Sequence, residues 1–338
     1  MRNVIDNFAF GNRYDWSDPF TIVIDTRNTK TGGSAANEFL FPQNNDTLDG
    51  YINFLVDWGD GQFSRIRSKA EAKIPHTYSS PGVYTLNFYK PKSAGTLQLG
   101  LRYESYQNET HKLLKILNWG KFNNSRACFA NCINLDVSEA DPIPAFLSNG
   151  ERNFLNCVNI TRFKVLDNIL INGTFARFFE GCISLNQSCV LNAPNVLYAV
   201  QNFQGCISLN SRITFNAPKA TNLSGFFYGC STLNVMPILN TPNVTNVSEL
   251  FKGCTEFNKN VSTLLDWSKV SDMTSFMTGK TSSNYDAANY DKLLIELDKA
   301  GQTGVPLGMG TIKHTSAGIA AKNSLVAKQW IITDGGII

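Results

Sequence analysis

The sequence predicts a mainly β chain with some α: a small β-sandwich, then a solenoid of short stacked coils, then a helical C-terminal cap. Three observations lead there. A Phe-x-x-Cys motif returns every 24 or 25 residues from Phe129 onward. Before it, short runs alternate apolar and polar residues between turn signals, as strands do. After it, apolar residues fall at helical spacing. The expected boundaries are a sandwich over 1–105, a solenoid over 106–280 and a cap over 281–338.

The first block rests on local patterns. Phe20–Asp25 and Tyr51–Asp57 read as strands, and so does the run Tyr84, Leu86 and Phe88 with its intervening polar residues. Trp58, Gly59, Asp60 and Gly61 form a tight-turn signal directly after the second strand. Residues 28–50 read as a long polar loop.

The second block rests on the repeat. Phe129, Phe154, Phe179, Phe203, Phe227 and Phe251 are spaced by 25, 25, 24, 24 and 24 residues. Each is followed three residues later by a cysteine: Cys132, Cys157, Cys182, Cys206, Cys230 and Cys254. An apolar residue lies three positions after each Cys (Leu135, Ile160, Leu185, Leu209, Leu233 and Phe257), and in the last four units Asn186, Asn210, Asn234 and Asn258 come directly after it. A period of roughly 20–29 residues with recurring apolar positions is one coil of a leucine-rich-repeat-like solenoid. One coil cannot bury its apolar side alone, so neighbours must stack. The Phe, the Cys and the following Leu should point inward. The Asn suits either a left-handed turn or a ladder of side-chain amides. Equivalent cysteines on stacked coils lie parallel, about 5 Å apart, and disulfides need converging Cβ vectors. The six are therefore expected to be buried, unpaired and unmetallated. A seventh unit has Met277 for Phe and Lys280 for Cys, as a terminal repeat would.

In the third block, Tyr290, Leu293, Leu294 and Leu297 are helically spaced, as are Ile319, Leu325 and Val326. Residues 330–336 read as a short strand and a turn.

Composition narrows the function. Thirty basic and 27 acidic residues leave a net charge of +3 with no concentrated basic stripe, which argues against nucleic acid. No run approaches the roughly 18 apolar residues of a membrane span, so no membrane insertion is expected. The first twenty residues lack the apolar core of about 7–15 residues that marks a signal peptide.

Two resemblances follow from the motifs. Trp58-Gly-Asp-Gly61, with His76, Tyr78 and Gly82-Val-Tyr-Thr85, resembles the polycystic-kidney-disease (PKD) repeat domain, a β-sandwich of immunoglobulin-like type. Leu86 stands where that pattern ends in valine. The Phe-x-Gly-Cys-x-x-Leu coil is similar to the BspA-like leucine-rich repeats of bacterial surface proteins, and Leu113–Gly120 resembles the lead-in of such arrays. Asn131 and Asn156 stand where that pattern has Gly. Both resemblances imply non-catalytic modules of adhesion and display, known also from bacteriophage fibre and virion proteins.

The search for chemistry agrees with a non-enzyme. No nucleophile-elbow, zincin or phosphate-loop motif occurs. Asp57 and Asp60 read as turn residues, and His76 as a strand-end histidine. Glu104, Glu109 and His111 read as a solvated connector. No cofactor or metal is expected. The expected function is recognition: a fibre, receptor-binding or decoration subunit of a bacteriophage virion, mediating attachment or assembly. Its partners would be other virion proteins, or a host-surface protein or glycan, and it could form homo-oligomers. The alternatives are a bacterial cell-surface adhesin in an extracellular setting and, third, an intracellular scaffold. Tyr198, Arg212 and Tyr228, at places that vary between coils, are the candidate surface anchors.

Overall fold

The computed structural model describes residues 13–40, 53–94, 97–98, 109–120, 122–123, 128–140, 150–164, 167–171 and 174–338. The expectations placed on residues 1–12, Tyr51, Ile52 and Glu104 lie outside the described residues. The chain divides into two compact units, one of Met1–Leu147 with Asn153–Val165, the other of Ser148–Arg152 with Leu166–Ile338.

In the first unit, β1 (Phe20–Asp25), β3 (Phe54–Asp57), β4 (Phe63–Ile66), β6 (Val83–Tyr89) and β8 (Leu113–Asn118) form one antiparallel sheet in the order β4-β3-β6-β1-β8. Alternation places Phe20, Ile22, Ile24, Phe54, Val56, Leu86 and Phe88 in the buried core. Phe88 lies 5.8 Å from Phe20 and 6.0 Å from Phe54 between ring centroids. Trp119, just after β8, meets both Phe129 and Phe154 edge-on, so the first two repeats pack on this core. The outer edge of β8 is also the first rung of the repeats. The Ile116 N–H donates to the Asp136 carbonyl, and the Asp136 N–H to that of Leu114.

In the second unit, β10 (Asp167–Leu170), β11 (Cys189–Asn192), β12 (Ile213–Asn216) and β13 (Ile238–Asn240) form a four-stranded parallel sheet. Pairing is in register at the repeat length: Leu191 with Phe215, and Phe215 with Leu239. The rest of each repeat is turns, bonded rung to rung. The Phe203 N–H reaches the Phe226 carbonyl and the Gly205 N–H that of Tyr228. Two columns of left-handed residues bend each repeat. One holds Arg177, Gln201, Gly225, Glu249 and Ser275 at φ of 55–61°. The other holds Gly181, Gly205, Gly229, Gly253 and Gly279; at the same repeat position within the first unit Asn131 and Asn156 are also left-handed. Asn stands in for Gly because its short amide tolerates this conformation. At Ser275, where Gly225 shows that glycine fits, Ser275→Gly should raise stability by roughly 0.5–1 kcal/mol. The midpoint of urea unfolding checks it.

The ladder does not stop at Lys280. Bridges join Met273 to Leu307, Thr281 to Thr311 and His314 to Ile337, and β14 (Pro306–Gly308) pairs in parallel with β15 (Ile331–Thr333). The helix Ala287–Ala300 is capped by the Asp286 carboxylate, which accepts from the Ala288 N–H, and ends at Gly301 with φ 79°. A second helix, Ile319–Ala327, packs against it.

The expected fold class is therefore corrected. The chain is mainly β with few helices, but it is not a PKD-like or immunoglobulin-like sandwich followed by a leucine-rich-repeat-like solenoid with a helical cap. A sandwich needs two facing sheets. Here five strands enter one sheet, because the segment read as a lead-in supplies its edge strand β8, and β2 (Glu38–Phe39) with β5 (His76–Thr77) makes only a two-residue pairing. Among the described residues the repeats hold a continuous sheet only over β10–β13, with no strand–helix coils. The helices are interleaved with further rungs of the ladder and do not follow a terminal coil.

Candidate functional site

In the first unit the sequence motif forms a stacked cluster. Trp58 lies flat on His76 at 4.4 Å, and Tyr78 on Tyr84 at 3.7 Å. The Tyr78 hydroxyl donates to the Trp58 carbonyl at 3.2 Å, and burial raises its pKa well above the ordinary tyrosine value. His76 Nε2 is 2.8 Å from Asp60 Oδ2, while Asp60 Oδ1 accepts from the Gln62 N–H and Asp57 from the Gly59 N–H. Gly59 sits at φ 80°, where a Cβ would strike the Thr85 carbonyl oxygen. Both carboxylates are thus used in shaping the turn.

The connector contains a surprise. Glu109 is buried, not solvated as its polar surroundings predict. Its carboxylate accepts from the Ser34 N–H at 2.6 Å and the Ser34 hydroxyl at 3.0 Å. Lys112, fully buried, donates to the Ser34, Ala35 and Glu38 carbonyls and to Ser34 Oγ. Burial pushes the Lys112 pKa down, against the pull of Glu109. A buried charge persists only when so paired, and the pair pins the 34–40 loop. The spacing of three between Glu109 and Lys112 was the available signal.

In the second unit Phe179, Phe203, Phe227 and Phe251 form a buried column, with Phe203–Phe227 at 5.9 Å and Phe227–Phe251 at 5.8 Å. All eight cysteines are buried. They do more than fill space: the Cys230 thiol donates to the Phe203 carbonyl at 2.9 Å, and the Cys254 thiol to that of Phe227 at 3.0 Å. The same Phe203 carbonyl accepts its own repeat's Cys206 N–H, so one oxygen stitches two repeats. At the seventh position Lys280 is only 1% exposed and donates to the Cys254 and Thr255 carbonyls. Burial pushes its ammonium down to about 8.

Of the two roles open to the repeating Asn, the ladder is the one taken. Asn186 Oδ1 accepts the Asn210 N–H, Asn210 Oδ1 that of Asn234, and Asn234 Oδ1 that of Asn258. A second ladder runs through the sheet, where Asn216 Nδ2 donates to Asn192 and Asn240 Nδ2 to Asn216. The side-chain oxygens of Asn222 and Asn246 accept the Ser224 and Ser248 N–H groups.

The three candidate anchors are not brought together. Tyr198 is 59% exposed on the bridge column Tyr198–Asn222–Asn246–Asp272. Tyr228 is half-buried beneath the Lys252 ammonium, 4.9 Å from its ring. Arg212 lines an open groove of about 500 Å³ with Ser188, Val190, Asn210, Thr214 and Val235. Among the described residues no cluster of His, Cys, Asp and Glu could hold a metal, and no helix is long and apolar enough to cross a membrane.

These features define a class of arrangement: an in-register ladder of repeats of 24 or 25 residues with a buried Phe–Cys column. A family described as "Mycoplasma protein of unknown function, DUF285" matches over residues 173–290, which is less than half of the chain. No curated protein and no solved structure matches.

Proposed function

We propose that the protein is a non-catalytic recognition and assembly module, a fibre, receptor-binding or decoration subunit on the surface of a bacteriophage virion. The observation that carries the recognition part is the employment of the chemically capable groups. Asp57, Asp60 and His76 shape a turn, Glu109 and Lys112 pin a loop, and the repeat cysteines stitch rungs. What remains outward is a repetitive surface rich in Asn, Ser and Thr, on which Ile183, Leu197, Tyr198, Ile207 and Arg212 are exposed. Such a surface binds through shape and distributed contacts. Thiols such as Cys206, Cys230 and Cys254, buried within the stack, suit a chain folded in a reducing compartment and carried outside by assembly.

A bacterial cell-surface adhesin is the second reading, favoured by the Mycoplasma description of the matching family. Immunogold labelling separates the two. Label on purified particles supports the virion reading, label on intact uninfected cells supports the adhesin, and label confined to the cell interior contradicts both.

A further inference from the structure

From Gly181 to Ser248 the sequence has only two charged residues, Arg212 and Lys219, both positive. Lys219 is engaged, its Nζ donating to Asn195 at 2.9 Å. Arg212 is exposed, and no described carboxylate pairs with it. It stands in the groove on the outer side of β11 and β12. The corresponding residues one repeat before and after are Ser188 and Met236, so the guanidinium is a property of this rung and not of the repeat.

The groove around it is rich in donors. The side-chain oxygen of exposed Asn210 accepts from the Asn234 N–H, which leaves Asn210 Nδ2 as a donor. Thr214 projects from the outward side of β12, and the Ser188 hydroxyl accepts from the Arg212 N–H while keeping its own proton to donate. The sheet's backbone is spoken for: β11 pairs with β10 and β12, and β12 with β11 and β13. A ligand must therefore be held by side chains alone. That disfavours an extended acidic peptide, which gains its affinity from main-chain bonds to a free strand edge and loses entropy on ordering. A stiff polymer of hydroxyl-bearing rings with one carboxylate meets the demand. The carboxylate takes the guanidinium fork, which matches it in a bidentate fashion. Its hydroxyls take the amide and hydroxyls spaced along rungs about 4.8 Å apart.

We infer that the Arg212 groove is a binding site for an acidic glycan, whose uronate-type carboxylate pairs with Arg212 and whose hydroxyls bond to Asn210, Thr214 and Ser188. The inference rests on the recognition reading above and names one ligand class for it.

Polygalacturonate is the probe, titrated by calorimetry into the full chain at low salt, with neutral dextran and poly-L-glutamate as comparisons. Saturable binding to polygalacturonate is expected, with none to dextran and at least tenfold weaker binding to polyglutamate. Arg212→Gln should weaken the binding at least tenfold, with an unchanged melting temperature because the side chain is exposed. Arg212→Lys should recover only part, since an ammonium cannot form the fork. Rising salt should weaken the wild-type complex. No binding to polygalacturonate, binding unaffected by Arg212→Gln, or equal binding to polyglutamate would each overturn the site. Particle or cell attachment measured on the same variants keeps the two claims apart. Attachment that survives in a protein without glycan binding sinks the groove and leaves the recognition reading standing.

Discussion

Between pH 9 and 10 the folded protein should lose about 3 kcal/mol of stability, a steep alkaline transition for a chain with no disulfide in its Cys206–Cys254 column. Burial raises the thiol pKa values of Cys132, Cys206 and Cys230 well above the ordinary 9.0, and pushes Cys254 up to about 12. Unfolded, these four thiols ionise near 9, while folded they keep their protons. The stability they contribute is complete below 9 and is lost as pH rises above it. Lys280 works the other way. Its folded ammonium deprotonates at about 8, against 10.5 when free, so it adds stability between those values and cancels one of the four protons. Denaturant unfolding across pH 8–10.5 measures the slope. Cys206→Ala should flatten it by about one proton, or roughly 1.4 kcal/mol per pH unit, and Lys280→Met should steepen it by the same amount. At pH 8 the column thiols should be silent to a thiol reagent in the folded protein and reactive in urea. A stability profile flat to pH 10 would show the column to be solvated.

Phe227→Ala should cost roughly 3–5 kcal/mol. The ring is fully buried between Phe203 and Phe251, stacked nearly parallel to both, and edge-on to Phe226 at 4.9 Å. The backbone around it is fixed by rung-to-rung bonds, with the Phe227 N–H on the Leu250 carbonyl and the Cys254 thiol on its own carbonyl. The stack therefore cannot close over the gap, and the cost should lie at the cavity end of the range. Thermal and urea unfolding of the variant check the size. A loss under 1 kcal/mol would mean that the column does not hold the repeats together.

Much of the repeat region was legible because a repeat states the same fact several times. One Phe or Cys says little, but six at a fixed spacing define which side chains go inward, and those residues are buried. What was missed depends on partners distant in sequence. Leu113–Asn118 looks like the opening of the repeats, and nothing local shows that its other edge pairs with β1 about ninety residues earlier. That one pairing turns the expected sandwich into a single five-stranded sheet. Lys280 at a cysteine position looks like the exposed end of an array. The rung at Leu307–Thr311 covers it, and that segment carries no Phe–Cys signature. Glu109 sits in a polar stretch that gives no hint of Ser34 seventy-five residues away. The Asn ladder stood between two readings, because a left-handed turn and an amide ladder favour the same residue. Of the groove, only Arg212 stood out in sequence. The charge-free stretch around it was visible as well, but which hydroxyls and amides surround the guanidinium depends on the register of β11 and β12.

The central claim is that function is carried by a surface and not by a catalytic group. An alanine scan of exposed residues, read out in parallel as binding to particles, host cells and polygalacturonate, tests it most directly. The account predicts graded losses, largest at a few anchors such as Arg212, Tyr198 and Tyr228, and near-neutral effects around them. A single exposed Asp or Glu whose removal abolished activity while binding persisted would make the protein an enzyme and contradict the account.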